Sequence, residues 1–168
     1  MALDKLSDSE LLSGIFKIVR VEKQTTLQVL EFLGEIDFRR LWLRQGYSSL
    51  FDFCVRYLKY SEGEAARRIQ GSRTMKRFEE VKPVLSPMLA SGEMSLTGLC
   101  LLSPHLTESN IVPLLEEARN NSTRGVEKII ETHFPELAKY MGDLIECGKQ
   151  LEQNLKNFAQ YLQVNPQK

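Results

Sequence analysis

Apolar side chains recur every three to four positions along almost the whole chain, and strand-like alternation is nearly absent. That pattern predicts an all-α protein, a multi-helix bundle. A first stripe runs through Leu11, Leu12, Ile15 and Val19, with Ser7 or Ser9 placed to cap it. It resumes through Leu27, Val29, Leu30, Leu33 and Ile36 to Leu43, where Gly46 supplies a C-terminal stop. One helix over about residues 8–44 is the expectation, with 21–25 as the place for a break and Thr25, Thr26 and Gly34 weakening its continuity.

Ser48 or Ser49 then opens a short helix through Leu50, Phe51, Phe53, Cys54, Tyr57 and Leu58, and Lys59-Tyr60 reads as a tight turn. Ser61-Glu62-Gly63-Glu64 fits a capping box, in which serine and glutamate satisfy each other's backbone amides. The helix it opens runs to about Phe78 with Ala65 and Ile69 inward. Pro83 suits the first turn of the next helix, which Ser91-Gly92 ends, and Ser95 opens another that stops at Ser103-Pro104. Further helices follow Thr107-Glu108 and Asn120-Asn121-Ser122, and Pro135 opens the last. In that last helix Leu137, Met141, Leu144, Gly148, Leu151, Leu155, Phe158 and Leu162 alternate by four and three, a heptad seam. Such a stripe packs either on the chain's own N-terminal helix or on a second copy. The expected organisation is a helical domain over 1–134 and a C-terminal amphipathic helix over 135–168.

Composition changes little: 42% hydrophobic and 26% charged residues suit a globular chain and exclude wholesale disorder. The scattered Cys54, Cys100 and Cys147 read as buried reduced thiols, which points to the cytoplasm. The N-terminal residues have no signal-like apolar region, and no run is apolar enough to predict a membrane span.

Charge changes more. Lys+Arg and Asp+Glu cancel at 22 each, but residues 39–82 carry eleven basic and five acidic side chains between two acidic arms. Arg67, Arg68, Arg73, Lys76 and Arg77 fall on the helix opened by Ser61, and a helical wheel turns Arg67, Gln70 and Thr74 outward. A short helix, a turn and a capped basic helix predict a helix-turn-helix-like unit over 48–78. In such units the second helix enters the major groove, its N-terminal amides can meet a phosphate, arginine can pair with guanine and glutamine with adenine. A solvated helix face is the bland account, and on pattern alone it is favoured.

The run GYSSLFDFCVRYLKYSEGEAARRI, Gly46 to Ile69, resembles the N-terminal helical region of many bacterial HNH-endonuclease-type proteins. Those typically show G-Y-S-S-L-x-x-Y/F-C-V-x-x-L-x-Y-S-E-x-x-A-x-R-R-I. The likeness extends through Leu27–Leu43, Ser95-Leu96-Thr97, Pro104-His105-Leu106-Thr107 and Ala118–Ile130, with Gly71 replacing a usual small Ala. It implies a helical, DNA-facing region that precedes a nuclease module. These 168 residues hold no His general base, metal-ligand set or CxxC knuckle of that module, so nuclease activity does not carry over.

His105 and His133 have no second ligand at helical spacing, and no phosphate-binding glycine loop or nucleophile elbow is present. Asp37 and Asp52 read as partners for Arg39, Arg40 or Arg56, and Trp42, Phe51 and Phe53 as core. The expectation is therefore a non-enzymatic, cytoplasmic module without metal or cofactor that binds duplex DNA through Arg67, Arg68, Gln70, Arg73, Lys76 and Arg77. It is expected to be a homodimer through 135–163. The rival readings are a protein-interaction module, or the targeting part of a nuclease whose catalytic half lies elsewhere.

Overall fold

The computed structural model describes residues 3–136 and 148–156, and every regular element among them is helical. Helix α1 (Asp8–Phe38) opens on a capping box: Ser7 Oγ accepts from the Glu10 amide at 3.3 Å, and the Glu10 carboxylate accepts from the Ser7 amide at 2.8 Å. It runs unbroken through 21–25. The break falls instead at Arg39-Arg40, where Arg40 adopts a left-handed backbone, φ 52°. The short α2 (Leu41–Arg44) follows, and Gly46, at φ 82°, closes it. Packing explains the turn. It lays Trp42 against the cluster of Leu33, Leu50, Phe53, Cys54, Ala65 and Ile69, which a straight helix would carry it past.

Ser49 caps α3 (Leu50–Arg56) by accepting from the Asp52 amide at 3.0 Å. Phe53 stacks on Tyr57 with ring centroids 4.9 Å apart and meets Tyr47 edge-on at 5.4 Å. After Tyr57–Ser61 comes α4 (Glu62–Arg77), then α5 (Lys82–Ser91), ended by Gly92 at φ 85°. α6 (Leu96–Leu102), α7 (Ile111–Ala118) and α8 (Thr123–His133) complete the order.

The chain divides into two compact units, Met1–Glu127 and Lys128–Lys168. In the first, α4 is the central helix, packed on α1, α3 and α6. Ala65, Ile69, Ser72 and Met75 are buried along it, and so is Gly71. A Cβ on Gly71 would fall 2.6 Å from Leu96 Cδ1 and 3.5 Å from Leu30 Cδ2. The glycine that weakens the helix locally thus leaves room for the Leu96 side chain of α6, which would have to move aside for a Cβ, while Leu30 of α1 sits at ordinary contact distance. The second half of α1 is covered, with Leu30 and Leu33 each 1% exposed, whereas Leu12 and Phe16 in its first half are 70% and 72% exposed.

In the second unit the described residues 148–156 are helical, and Gly148 has no neighbour within 4 Å of where a Cβ would sit. Lys156 pairs with Glu152 at 2.8 Å, and Leu151 and Leu155 are exposed. The other seam residues, Leu137, Met141, Leu144, Phe158 and Leu162, lie outside the described residues. Among the described residues no helix is long and apolar enough to cross a membrane.

Candidate nucleic-acid interface

Because α4 is central, its basic residues meet very different surroundings. Its N-terminal amides are partly taken. Ser61 Oγ accepts from the Glu64 amide at 3.4 Å, and the Glu64 carboxylate accepts from the Ser61 amide at 3.0 Å and from its hydroxyl at 2.7 Å. These bonds hold the Glu64 carboxyl below the ordinary glutamate range. Glu62 also lies in the first turn, so two carboxylates share this end of the helix with the guanidinium groups of Arg67 and Arg68.

Two positions expected to face outward do not. Gln70 Nε2 donates to the Cys100 carbonyl at 2.7 Å, and Thr74, 3% exposed, shares a 2.7 Å hydrogen bond with Ser103 Oγ. Cys100 Sγ completes the set by donating to the Arg67 carbonyl at 3.3 Å. α6 and the turn after it therefore cover a side of α4 that the wheel left open, and its polar side chains knit the two helices together. The wheel failed here because Gln70 and Thr74 look like surface residues and are used as interior connectors. Burial raises the Cys54 and Cys100 thiols above the usual range, so both stay protonated.

Arg68 is absorbed as well. Its guanidinium lies 4.3 Å from the centre of the Tyr60 ring and 3.7 Å from Glu64, with only 20% of its side chain exposed. Arg67 is exposed near the start of the helix, with no ion pair among the described residues.

The C-terminal half of α4 presents the remaining group. Arg73 and Arg77 form the shared wall of two adjoining depressions. One, of about 550 Å³, reaches from Ser49 and Phe51 past Gln70 to Ser103; the other, of about 380 Å³, is bounded by Asp37, Phe38, Arg40 and Lys76. Arg73 Nε donates to Asp37 Oδ2 at 2.8 Å. Lys76 pairs with Glu79 at 2.6 Å and with Glu35 at 3.7 Å, and the Glu79 hydrogen bond raises its pKa. Arg77 lies over the Phe78 ring at 4.7 Å, and neither it nor Arg40 has an acidic partner among the described residues. Asp52 pairs with Arg56 at 3.6 Å as expected, while Asp37 turns to Arg73 rather than to a neighbour on its own strand of sequence. Phe51, expected in the core, is 41% exposed at the cleft wall.

Arg40 is the residue the sequence reading missed. A left-handed backbone at the end of a helix ordinarily selects glycine or asparagine, because a Cβ there costs about 1–2 kcal/mol. Arginine at that position keeps a cation beside Arg73 and Arg77 despite the strain. The helix had to be seen to end at Phe38 for this to be visible. Among the described residues no three His, Cys, Asp or Glu side chains come together as a metal site.

Comparison with protein families, with curated proteins and with solved structures finds no match to this chain.

Proposed function

We propose that the Met1–Glu127 unit is a non-catalytic DNA-binding module that grips the phosphate backbone of a duplex with Arg40, Arg73, Lys76 and Arg77. The observation that carries the reading is this contiguous basic wall, two of whose members, Arg40 and Arg77, have no acidic partner among the described residues. Gln70 is taken out of base reading by its bond to Cys100, so recognition rests on phosphates and is weakly dependent on sequence. The resemblance to the region that precedes HNH nuclease modules supports the same reading and assigns no catalysis to it.

Arg73 and Lys76 already hold carboxylates, so full counterion release is expected only from Arg40 and Arg77. For random-sequence duplex, log K should then fall against log[salt] with a slope of roughly −1.8 per protomer, about 0.9 per phosphate engaged. Arg40→Ala and Arg77→Ala should each lower the slope by about 0.9 and weaken binding, while Arg67→Ala has a smaller effect. Undiminished binding in the Arg40→Ala/Arg77→Ala variant would refute the reading, as would no binding at low salt. The half-exposed Phe51 beside Arg73 and Arg77 would then favour an acidic protein segment as the occupant of the larger cleft.

A further inference from the structure

On α1 the positions Leu12, Phe16, Val19, Lys23, Thr26, Leu30 and Leu33 step by four and three, so they form one stripe. The stripe has two fates. From Leu30 onward it is buried in the bundle. Toward the N-terminus α5 leaves it. Lys23 Nζ donates to the carbonyl of Ser91, the last residue of α5, at 3.3 Å, which marks where the covering helix stops. Beyond that point Leu12, Ile15 and Phe16 are 70%, 55% and 72% exposed, with Ile18 at 63% on the flank. A trench of about 340 Å³ between Phe16, Val19 and Lys23 on one side and Pro87, Ala90 and Ser91 on the other leads from the end of α5 onto this stripe.

We infer that the open half of α1 is a dimerisation surface whose occupant is the same half-helix of a second copy, antiparallel about a two-fold axis between Ile15 and Phe16. The pattern is self-complementary in that register. Leu12 meets Val19 of the second copy, Ile15 meets Phe16, and Asp8, one turn before Leu12, meets Lys23 at the mouth of the trench. The partner helix then continues in the lane that α5 vacates, and its N-terminal end approaches the C-terminal end of α5, the favourable sense for helix dipoles. Eight large apolar side chains, four from each copy, come together, on the order of the ~1,000 Å² total that a specific interface needs. This surface is independent of the DNA reading and distinct from the 137–162 seam.

Sedimentation of the full chain across a concentration series tests it. The expected result is an equilibrium between the 19.3 kDa chain and a species of twice that mass. The Leu12→Asp/Phe16→Asp variant should be monomeric throughout with unchanged helix content, since both positions are exposed in the single chain. Asp8→Lys and Lys23→Asp should each raise the dissociation constant at low salt, and the two combined should restore it, which a merely misfolded variant would not do. A wild-type chain that is monomeric at every concentration overturns the proposal. So does a dimer that survives Leu12→Asp/Phe16→Asp and is lost with Leu151→Asp/Leu155→Asp.

Discussion

Helices α1 and α4 begin alike and end up in opposite places. Each opens on a serine–glutamate capping box, and each has one apolar face. α1 is the more apolar in composition, yet its first half overhangs the bundle with leucine and phenylalanine in solvent. α4 carries five basic side chains, yet it is the helix on which α1, α3 and α6 converge. A helix's own polarity says which face prefers to be covered. Whether a neighbour is there to cover it, and how many neighbours there are, is decided by the rest of the chain.

The sharpest way to break this contrast lies within one helix. Leu33→Ala should destabilise the fold by about 2–5 kcal/mol, as buried leucine truncations do. Leu12→Ala, on the same stripe, should stay within about 0.5 kcal/mol when measured dilute enough for the chain to be monomeric. Denaturant titration reads both, and equal losses would mean that the overhang is covered within the single chain.

On α4 the contrast is between connectors and free cations. Gln70→Ala should lower stability by about 1–2 kcal/mol, because it leaves a part-buried carbonyl without its donor, and should leave DNA affinity unchanged. Arg40→Gly should do the reverse, stabilising the fold by up to about 1 kcal/mol by relieving the left-handed backbone while weakening DNA binding. Thermal melts beside a binding titration separate the two. The smallest effect concerns acid. Glu64 is held below its ordinary pKa, so its bonds to Ser61 contribute stability above roughly pH 4.3, the unfolded-state value, and lose it as pH falls through the lowered native value. Glu64→Gln should flatten that limb of the stability–pH curve.

Much of the fold was legible because its signals are local. The Ser61 box, the Ser49 and Ser95 caps, Pro83 in a first turn and Gly92 as a stop are each set by a few adjacent residues. The end of α1 was not, because Arg39-Arg40 has no breaker chemistry; tertiary packing of Trp42 imposes the turn there. The site was legible only in outline. Periodicity placed Arg73, Lys76 and Arg77 on one helix and says nothing of Arg68 folding back on Tyr60, while the bonds of Gln70 to the Cys100 carbonyl and of Thr74 to Ser103 depend on α6 and the segment after it arriving some thirty positions later in the sequence. Arg40 entered the group through the same long-range turn.

The Asp37–Arg73 pair has one more consequence. Any phosphate that reaches Arg73 must evict a resident competitor fixed at high local concentration by its place on α1, whereas a freely diffusing anion would leave at little cost. On the proposed reading the pair is a modest built-in ceiling on affinity, because Arg73 is largely exposed and a ligand that also engages Arg40 and Arg77 repays the exchange. If the proposed function holds, a chain with Asp37→Asn would bind every duplex more tightly and depend less on Arg40 and Arg77 for doing so.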